Sequence, residues 1–134
     1  MVYIKRLLMN KYLVILFITL GLTACSEKNE QYYRSNPNEL QTAMKGCPTV
    51  QPEGMNCKQI EALANRMNTL AYELQFNPQE FGNKILDIQQ KIAKQKLDLA
   101  IDGKNEKLQA DLKKNEHDLA DYLAVVKWLE SPES

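Results

Sequence analysis

Three cysteines are the residues of this sequence whose chemistry is easiest to define. Cys25 follows the tripeptide Leu22-Thr23-Ala24, whereas Cys47 and Cys57 lie ten positions apart. A cysteine thiol can be acylated, oxidised to a disulfide or bound to a metal ion, according to its surroundings. The residues around each cysteine therefore decide which reaction we expect.

The stretch before Cys25 has the organisation of an export signal that ends at a lipidation site. Basic residues precede an apolar run from Tyr12 to Leu22, and the small residues Thr23 and Ala24 lie directly before the cysteine. This run is far shorter than the roughly twenty apolar residues that span a bilayer, which argues against a permanent transmembrane helix. Leu-Thr-Ala-Cys therefore predicts a bacterial lipoprotein signal peptide over 1–24, with Cys25 diacylated. A secretory signal with a coincidental cysteine is the alternative.

Export favours a disulfide between Cys47 and Cys57, because exported proteins meet an oxidising compartment. The segment between them contains two prolines and a glycine, so it cannot be helical throughout but can close a compact loop. In the loop-entropy description such a bond stabilises the fold by roughly 2 to 3 kcal/mol. Two free thiols are the alternative. We expect no metal site, because two cysteines and the distant His117 lack the usual ligand spacing, and no other cofactor.

His117 is the only histidine and lies beside Glu116 and Asp118. No serine or cysteine nucleophile is identified as its partner, so a surface histidine is favoured over a catalytic one. Asp111, Asp118 and Asp121 are expected on a solvated helix face together with neighbouring lysines. We therefore predict no catalytic residues, no enzyme activity and no small-molecule substrate.

Charge and composition narrow the class of protein further. The chain has 17 basic and 17 acidic residues, and removal of 1–24 takes three basic residues away, so the mature net charge is 14 − 17 = −3. This mild acidity gives no electrostatic footprint for nucleic acid. With only five glycines and five prolines, the composition favours helices over strands. We expect one small all-α domain.

The first predicted helix follows Asn36-Pro37-Asn38-Glu39, in which Asn36 caps the helix and Glu39 completes a capping box. It ends near Lys45, with Gly46 in the left-handed terminating conformation. A second capping box at Asn56 begins an amphipathic helix that extends to about residue 75.

The last two predicted helices form an antiparallel hairpin. Asn77-Pro78 begins the third helix, and Asp102-Gly103 turns the chain into a fourth that Pro132 ends. Folding about this turn pairs Leu99 with Leu108, Gln95 with Leu112, Ile92 with Asn115, Ile88 with Leu119, Ile85 with Tyr122 and Phe81 with Val126. Gln95 and Asn115 fall in neighbouring layers and can hydrogen-bond to each other. The helix from Cys57 offers the third face of a small bundle.

These elements define a domain organisation. The predicted parts are a signal peptide over 1–24, a lipidated tether over 25–35 and a helical domain over 36–134, itself divided into a disulfide-bridged cap over 36–57 and a helical bundle over 57–130. Tyr32 and Tyr33 either lie at the lipid interface or pack against the first helix, and packing is favoured.

The first 65 or so residues carry a pattern that a known family shares. It runs through Tyr32-Tyr33, Asn36-Pro37-Asn38-Glu39-Leu40, Cys47 and Asn56-Cys57, after the signal that ends at Cys25. This pattern resembles the EexN-type entry-exclusion lipoproteins of conjugative elements. The resemblance implies a lipoprotein that hinders further import from a like donor into a cell already carrying the element. Residues 77–134 depart from the family pattern as an added helical hairpin.

The resemblance also implies site residues and a location. Besides Cys25 and the Cys47/Cys57 pair, it marks Tyr32, Tyr33, Pro37 and Leu40 as candidate partner-binding positions. The expected location is the bacterial cell envelope, lipid-anchored and facing the periplasm, with inner and outer membrane both open. The expected partners are the membrane, reached through the lipid, and an envelope protein such as a conjugation or type IV secretion component. A helical assembly factor, chaperone or secretion pilotin is a second reading, and a structural envelope lipoprotein is a third.

Overall fold

The computed structural model describes residues 27–130, so the predicted signal peptide and Cys25 lie outside the described residues. All regular structure in this range is helical. The five helices are α1 (Glu30–Ser35), α2 (Pro37–Gly46), α3 (Cys57–Phe76), α4 (Pro78–Ile101) and α5 (Glu106–Glu130). The predicted all-α class is confirmed.

Asparagine caps begin the long helices. The side chain of Asn56 accepts a hydrogen bond from the backbone N–H of Gln59 at 2.9 Å, and the Gln59 side chain accepts one from the Asn56 N–H. Asn77 likewise accepts from the N–H of Glu80 at 3.2 Å. These contacts satisfy backbone donors that a first helical turn leaves free. The predicted starts of α3 and α4 are therefore confirmed.

The predicted ends of α2 are wrong in detail. Asn36 makes no side-chain cap to α2, because its side-chain amide donates to the backbone oxygen of Tyr32 at 2.8 Å and so closes α1 instead. Gly46 is the last residue of α2 and does not have a positive φ. Among the described residues the left-handed conformation occurs at Gly54, with a φ of 76°.

Helix α1 lies within the segment assigned to the tether. Tyr33 packs in the hydrophobic core, and its hydroxyl donates to the backbone oxygen of Glu53 at 2.9 Å. Before α1, the Lys28 ammonium lies 3.5 Å from a carboxylate oxygen of Glu39, and the Lys28 backbone lies against Gly54. A short helix with a buried aromatic side chain is held by packing rather than by local propensity. The folded domain therefore includes α1, and the contacts of Lys28 with Glu39 and Gly54 show that it includes Lys28 as well.

The core lies where α3 packs against the open end of the α4–α5 hairpin. Its buried apolar residues are Tyr33, Leu40, Ile60, Leu63, Ala64, Met67, Phe81, Val125 and Trp128. The hairpin is antiparallel as predicted, and Asn115 donates to Gln95 at 2.9 Å across it. Only the part of α4 near Phe81 and Ile85 joins the core that α3 covers.

Beyond that core, α4 and α5 continue as a two-helix extension, which we call the arm and define as residues 93–114. Most of its side chains are exposed, including Leu97 at 69% and Ile101 at 89%. The predicted packing of α3 against the hairpin is therefore found only at the open end of the hairpin. Among the described residues, no third helix covers the arm.

Candidate functional site

The disulfide between Cys47 and Cys57 is present and joins the end of α2 to the start of α3, with the two Cα atoms 5.7 Å apart. This confirms the predicted bridge. The bridge forms one wall of an open groove of about 480 Å³, which we call the cap groove. Its lining residues are Met44, Cys47, Pro48, Cys57, Lys58, Glu61 and Asn65.

The four candidate partner-binding residues occupy two environments. Tyr33 and Leu40 are fully enclosed in the core, whereas Tyr32 and Pro37 are half-buried at its edge. The rings of Tyr32 and Tyr33 meet edge to face, with centroids 5.5 Å apart. Burial raises the pKa of Tyr33, which therefore stays neutral. Tyr33 and Leu40 have a packing role, and partner contact through Tyr32 and Pro37 stays a prediction.

A buried ion pair connects the two ends of the described chain. Arg34 of α1 is 5% exposed and Asp121 of α5 is 1% exposed, and the Arg34 Nε donates to Asp121 Oδ1 at 2.6 Å. The other carboxylate oxygen of Asp121 lies 2.5 Å from Nε of Arg66 in α3. The Arg66 N–H is not directed at this oxygen, so the second contact is an ion pair without a hydrogen bond. One carboxylate thus contacts two guanidinium groups and balances one of their two positive charges.

Glu30 provides the second carboxylate of this cluster. Its Oε1 accepts hydrogen bonds from Arg66 at 2.7 Å and from Arg34 at 3.0 Å, and it lies 2.6 Å from Nε2 of His117. Burial acts to raise the pKa of Glu30, but the hydrogen bonds from His117 and Arg66 outweigh it and hold the pKa below its ordinary value. The carboxylate is therefore charged at neutral pH.

His117 contacts one neighbour that accepts hydrogen bonds and another that donates them. Its Nε2 lies 2.6 Å from Glu30 Oε1 and 2.9 Å from Nη2 of Arg34. A ring nitrogen that carries a proton can donate to the carboxylate, whereas one without a proton can accept from the guanidinium. The same nitrogen cannot satisfy both contacts at once.

The cluster also has ligand atoms that could hold a metal ion. Oxygens of Glu30 and Asp121 and a ring nitrogen of His117 all lie within 4.8 Å of one another. However, Arg34 and Arg66 already contact these oxygens, and their two positive charges balance the two carboxylates. A cation would have to displace a guanidinium and would be repelled by it. The arrangement therefore acts as an internal electrostatic connection between α1, α3 and α5.

The prediction that Asp121 lies on a solvated helix face is wrong, because its side chain is buried. The C-terminal half of α5 packs against α1 and α3 as well as α4, so its buried face includes Asp121, Val125 and Trp128. Leu129, in the same half of α5, is exposed. The four-and-three spacing of the buried residues was the available signal. This stripe is hard to recognise because its first residue, Asp121, is polar. The partners of Asp121, Arg34 and Arg66, are remote in the sequence.

The fold and this cluster define a small, disulfide-stabilised all-α domain. None of the helices in residues 27–130 combines the length and the apolar character needed to cross a membrane. Comparison with protein families, with curated proteins and with solved structures finds no match to this chain.

Proposed function

We propose that this protein is a bacterial envelope lipoprotein, anchored through Cys25, that acts by binding a protein partner in entry exclusion against conjugative transfer. One observation carries the proposal. The residues of the EexN-like pattern are spread from Tyr32 to Cys57 in the sequence, yet Tyr33 and Leu40 share one hydrophobic core and Cys47 is bonded to Cys57. Such convergence is expected if the pattern encodes a folded cap rather than a chance match.

Binding, rather than catalysis, is the mechanism that the titratable groups support. Within the described residues, His117 contacts Glu30, Arg34 and Asp121, and none of these contacts is to a hydroxyl or thiol. A general base needs a nucleophile or a water-filled substrate site within hydrogen-bond reach. The ionisable groups of the cluster are instead occupied with one another.

We infer that the partner contacts the cap. Val50 is exposed in the disulfide-bridged loop, and Lys58 and Glu61 flank the cap groove. A rigid loop with an exposed apolar residue loses little conformational entropy on binding. The partner is a protein of the cell envelope, such as a component of the conjugation or type IV secretion apparatus.

A mating assay tests this function. Recipient cells that produce the wild-type protein should accept a related conjugative element less often than cells that produce Cys25→Ser. Labelling with a fatty-acid analogue checks the anchor, because only the wild type should incorporate it. A truncation after α3 is unsuitable, since it removes Phe81, Val125 and Trp128 from the core.

Surface variants locate the activity instead. Val50→Asp and Lys58→Glu change the cap without touching the core, and Lys113→Glu is a matched control on the exposed face of α5. Exclusion should weaken in the two cap variants and persist in the control. Unchanged transfer into cells with verified, membrane-bound wild-type protein, with several related donors, would remove exclusion from consideration.

An assembly factor or secretion pilotin is the second candidate, and the end of α3 favours it. The rings of Tyr72 and Phe76 stack on each other with centroids 5.9 Å apart, and both are exposed. An exposed aromatic pair is a site that an apolar client segment could cover. Mislocalisation of an outer-membrane secretin in cells that carry Phe76→Asp, with normal conjugative transfer, would support this alternative.

A further inference from the structure

Helices α1 and α5 run in the same direction where they meet. Glu30 contacts His117 and Arg34 contacts Asp121, so a step of four residues along α1 corresponds to a step of four residues in the same direction along α5. The backbone oxygen of Arg34 then accepts a hydrogen bond from the Trp128 indole at 2.8 Å, again further along α5. The N-terminal end of α1 therefore points toward the N-terminal end of α5, which is the end of the arm.

The arm and the segment before α1 have comparable reach. From His117 to Glu106, α5 continues for eleven residues, or about 16 Å at the rise of an α-helix. Cys25 lies five positions before Glu30, and a fully extended chain over that separation spans at most about 18 Å. Lys28 is already held against Gly54 and Glu39, which shortens the free part further. The end of the arm thus reaches at least as far as Cys25 can.

The last turns of α4, near the end of the arm, expose two apolar side chains, and the surrounding segment has no net attraction for anionic lipid. Leu97 and Ile101 lie one helical turn apart on α4, and both side chains are largely exposed. Residues 98–107 contain two lysines and three acidic residues, so the net charge of this segment is 2 − 3 = −1. Apolar burial, rather than charge, is therefore the interaction that this surface can offer.

We propose that Leu97 and Ile101 insert into the boundary between head groups and acyl chains of the bilayer that holds the lipid of Cys25. This inference rests on the lipid anchor of the proposed function. The occupant is the membrane, because a lipid attached at Cys25 brings the bilayer surface to the level of the arm. The lipid and the arm then form two contact points that fix the orientation of the domain. Phe76 is the last residue of α3 and lies next to the start of α4, at the opposite end of that helix from Ile101.

Tryptophan substitutions in the full mature, lipidated protein test this orientation. Ile101→Trp reports on the end of the arm, and Phe76→Trp is the matched control, since Phe76 is also exposed, at 79%. Both variants keep the buried Trp128 as a common background. The proteins are reconstituted into vesicles of phosphatidylethanolamine and phosphatidylglycerol with brominated acyl chains. We expect bromine quenching and a blue-shifted emission for Ile101→Trp, with neither for Phe76→Trp, and no loss of quenching at high salt.

Flotation with the vesicles separates the possible failures. Purified wild-type protein that lacks the acyl groups and does not float would overturn the anchor together with this inference. Protein that floats but leaves Ile101→Trp unquenched would overturn the arm contact alone, as would equal quenching of both variants. A blue shift of Ile101→Trp that grows with protein concentration, in vesicle-free Cys25→Ser protein, would assign the surface to a second copy of the chain instead.

Discussion

The guanidinium of Arg34 and the carboxylate of Asp121 are 2.6 Å apart although the residues lie 87 positions apart in the sequence. Both side chains are buried, and Arg66 of α3 shares the same carboxylate. This contact makes the N-terminal helix α1 depend on the C-terminal helix α5. Residues 30–35, which belong to the segment assigned to the tether, are thus part of the folded domain.

The first prediction concerns removal of the shared charge. Asp121→Asn removes the buried carboxylate that Arg34 and Arg66 share and leaves Glu30 to face both positive charges, so the free energy of unfolding should fall by about 3 to 5 kcal/mol. Urea unfolding followed by circular dichroism measures the change. Asp118→Asn is the control, because Asp118 pairs with Lys114 near the solvent, and it should cost less than about 1 kcal/mol. Equal effects of the two substitutions would mean that the cluster contributes nothing beyond a surface pair.

The second prediction concerns the pH dependence that Glu30 introduces. The pKa of Glu30 is lower in the folded protein than its ordinary value of 4.5, so its ionisation stabilises the fold above that value. This contribution is lost as the pH falls through the folded pKa. Glu30→Gln should therefore lower the free energy of unfolding at neutral pH by about 1 kcal/mol, a modest figure because the side chain is partly exposed to screening solvent. The difference from wild type should vanish in acid.

The same comparison in proteins that carry His117→Gln separates the pH-dependent contribution of Glu30 from that of the neighbouring histidine. Because His117 contacts Glu30 directly, the same pair of proteins is compared with His117→Gln in both. Part of the acid-dependent difference between Glu30 and Gln should remain there, since Arg66 and Arg34 still contact the carboxylate, and the part that is lost belongs to the hydrogen bond from His117. A difference that disappears with His117→Gln would assign the pH dependence to the histidine.

Local signals in the sequence were sufficient for much of the fold. The capping box at Asn56 and the Asp102-Gly103 turn depend on neighbouring residues, and the Gln95–Asn115 hydrogen bond follows from helix periodicity once that turn is placed. The disulfide followed from a short loop between two cysteines of an exported chain. Each of these features needs only information within one helix or one hairpin.

The ion-pair cluster could not be found in this way. Arg34, Arg66 and Asp121 belong to three helices, and their pairing depends on how those helices pack. A charged residue in an amphipathic pattern is expected at the surface, because burial of an unpaired charge is costly. The partners that make burial of Asp121 possible are visible only in three dimensions.

The third prediction concerns the bridge between α2 and α3. Cys47→Ser with Cys57→Ser should lower the free energy of unfolding by about 2 to 3 kcal/mol, because an unbridged chain gains conformational entropy when it unfolds. Intact mass after alkylation gives the redox state in protein taken from the periplasm. The wild type should incorporate no alkylating reagent until it is reduced. Two labelled thiols without reduction would show that the bridge does not form in the cell.

The last prediction concerns Gly54, which holds the segment before α1 in place. Its φ of 76° is a conformation that residues with a side chain rarely adopt, and a Cβ atom there would overlap the backbone oxygen of Lys28. Gly54→Ala should therefore lower the free energy of unfolding by about 1 to 3 kcal/mol. It should also release Lys28, so that trypsin cleaves after this residue faster than in the wild type.

Gly82→Ala is the matched control for this substitution. Gly82 lies inside α4, and a Cβ atom there meets nothing within 4 Å. Alanine is the better helix former, so this variant should be more stable than the wild type by about 0.5 to 1 kcal/mol. Cleavage after Lys28 should not change in it. If Gly54→Ala left both the unfolding free energy and the cleavage rate unchanged, Lys28 would not be held by the disulfide-bridged loop. The reach of the chain between the domain and Cys25 would then be longer than the contact with Gly54 allows.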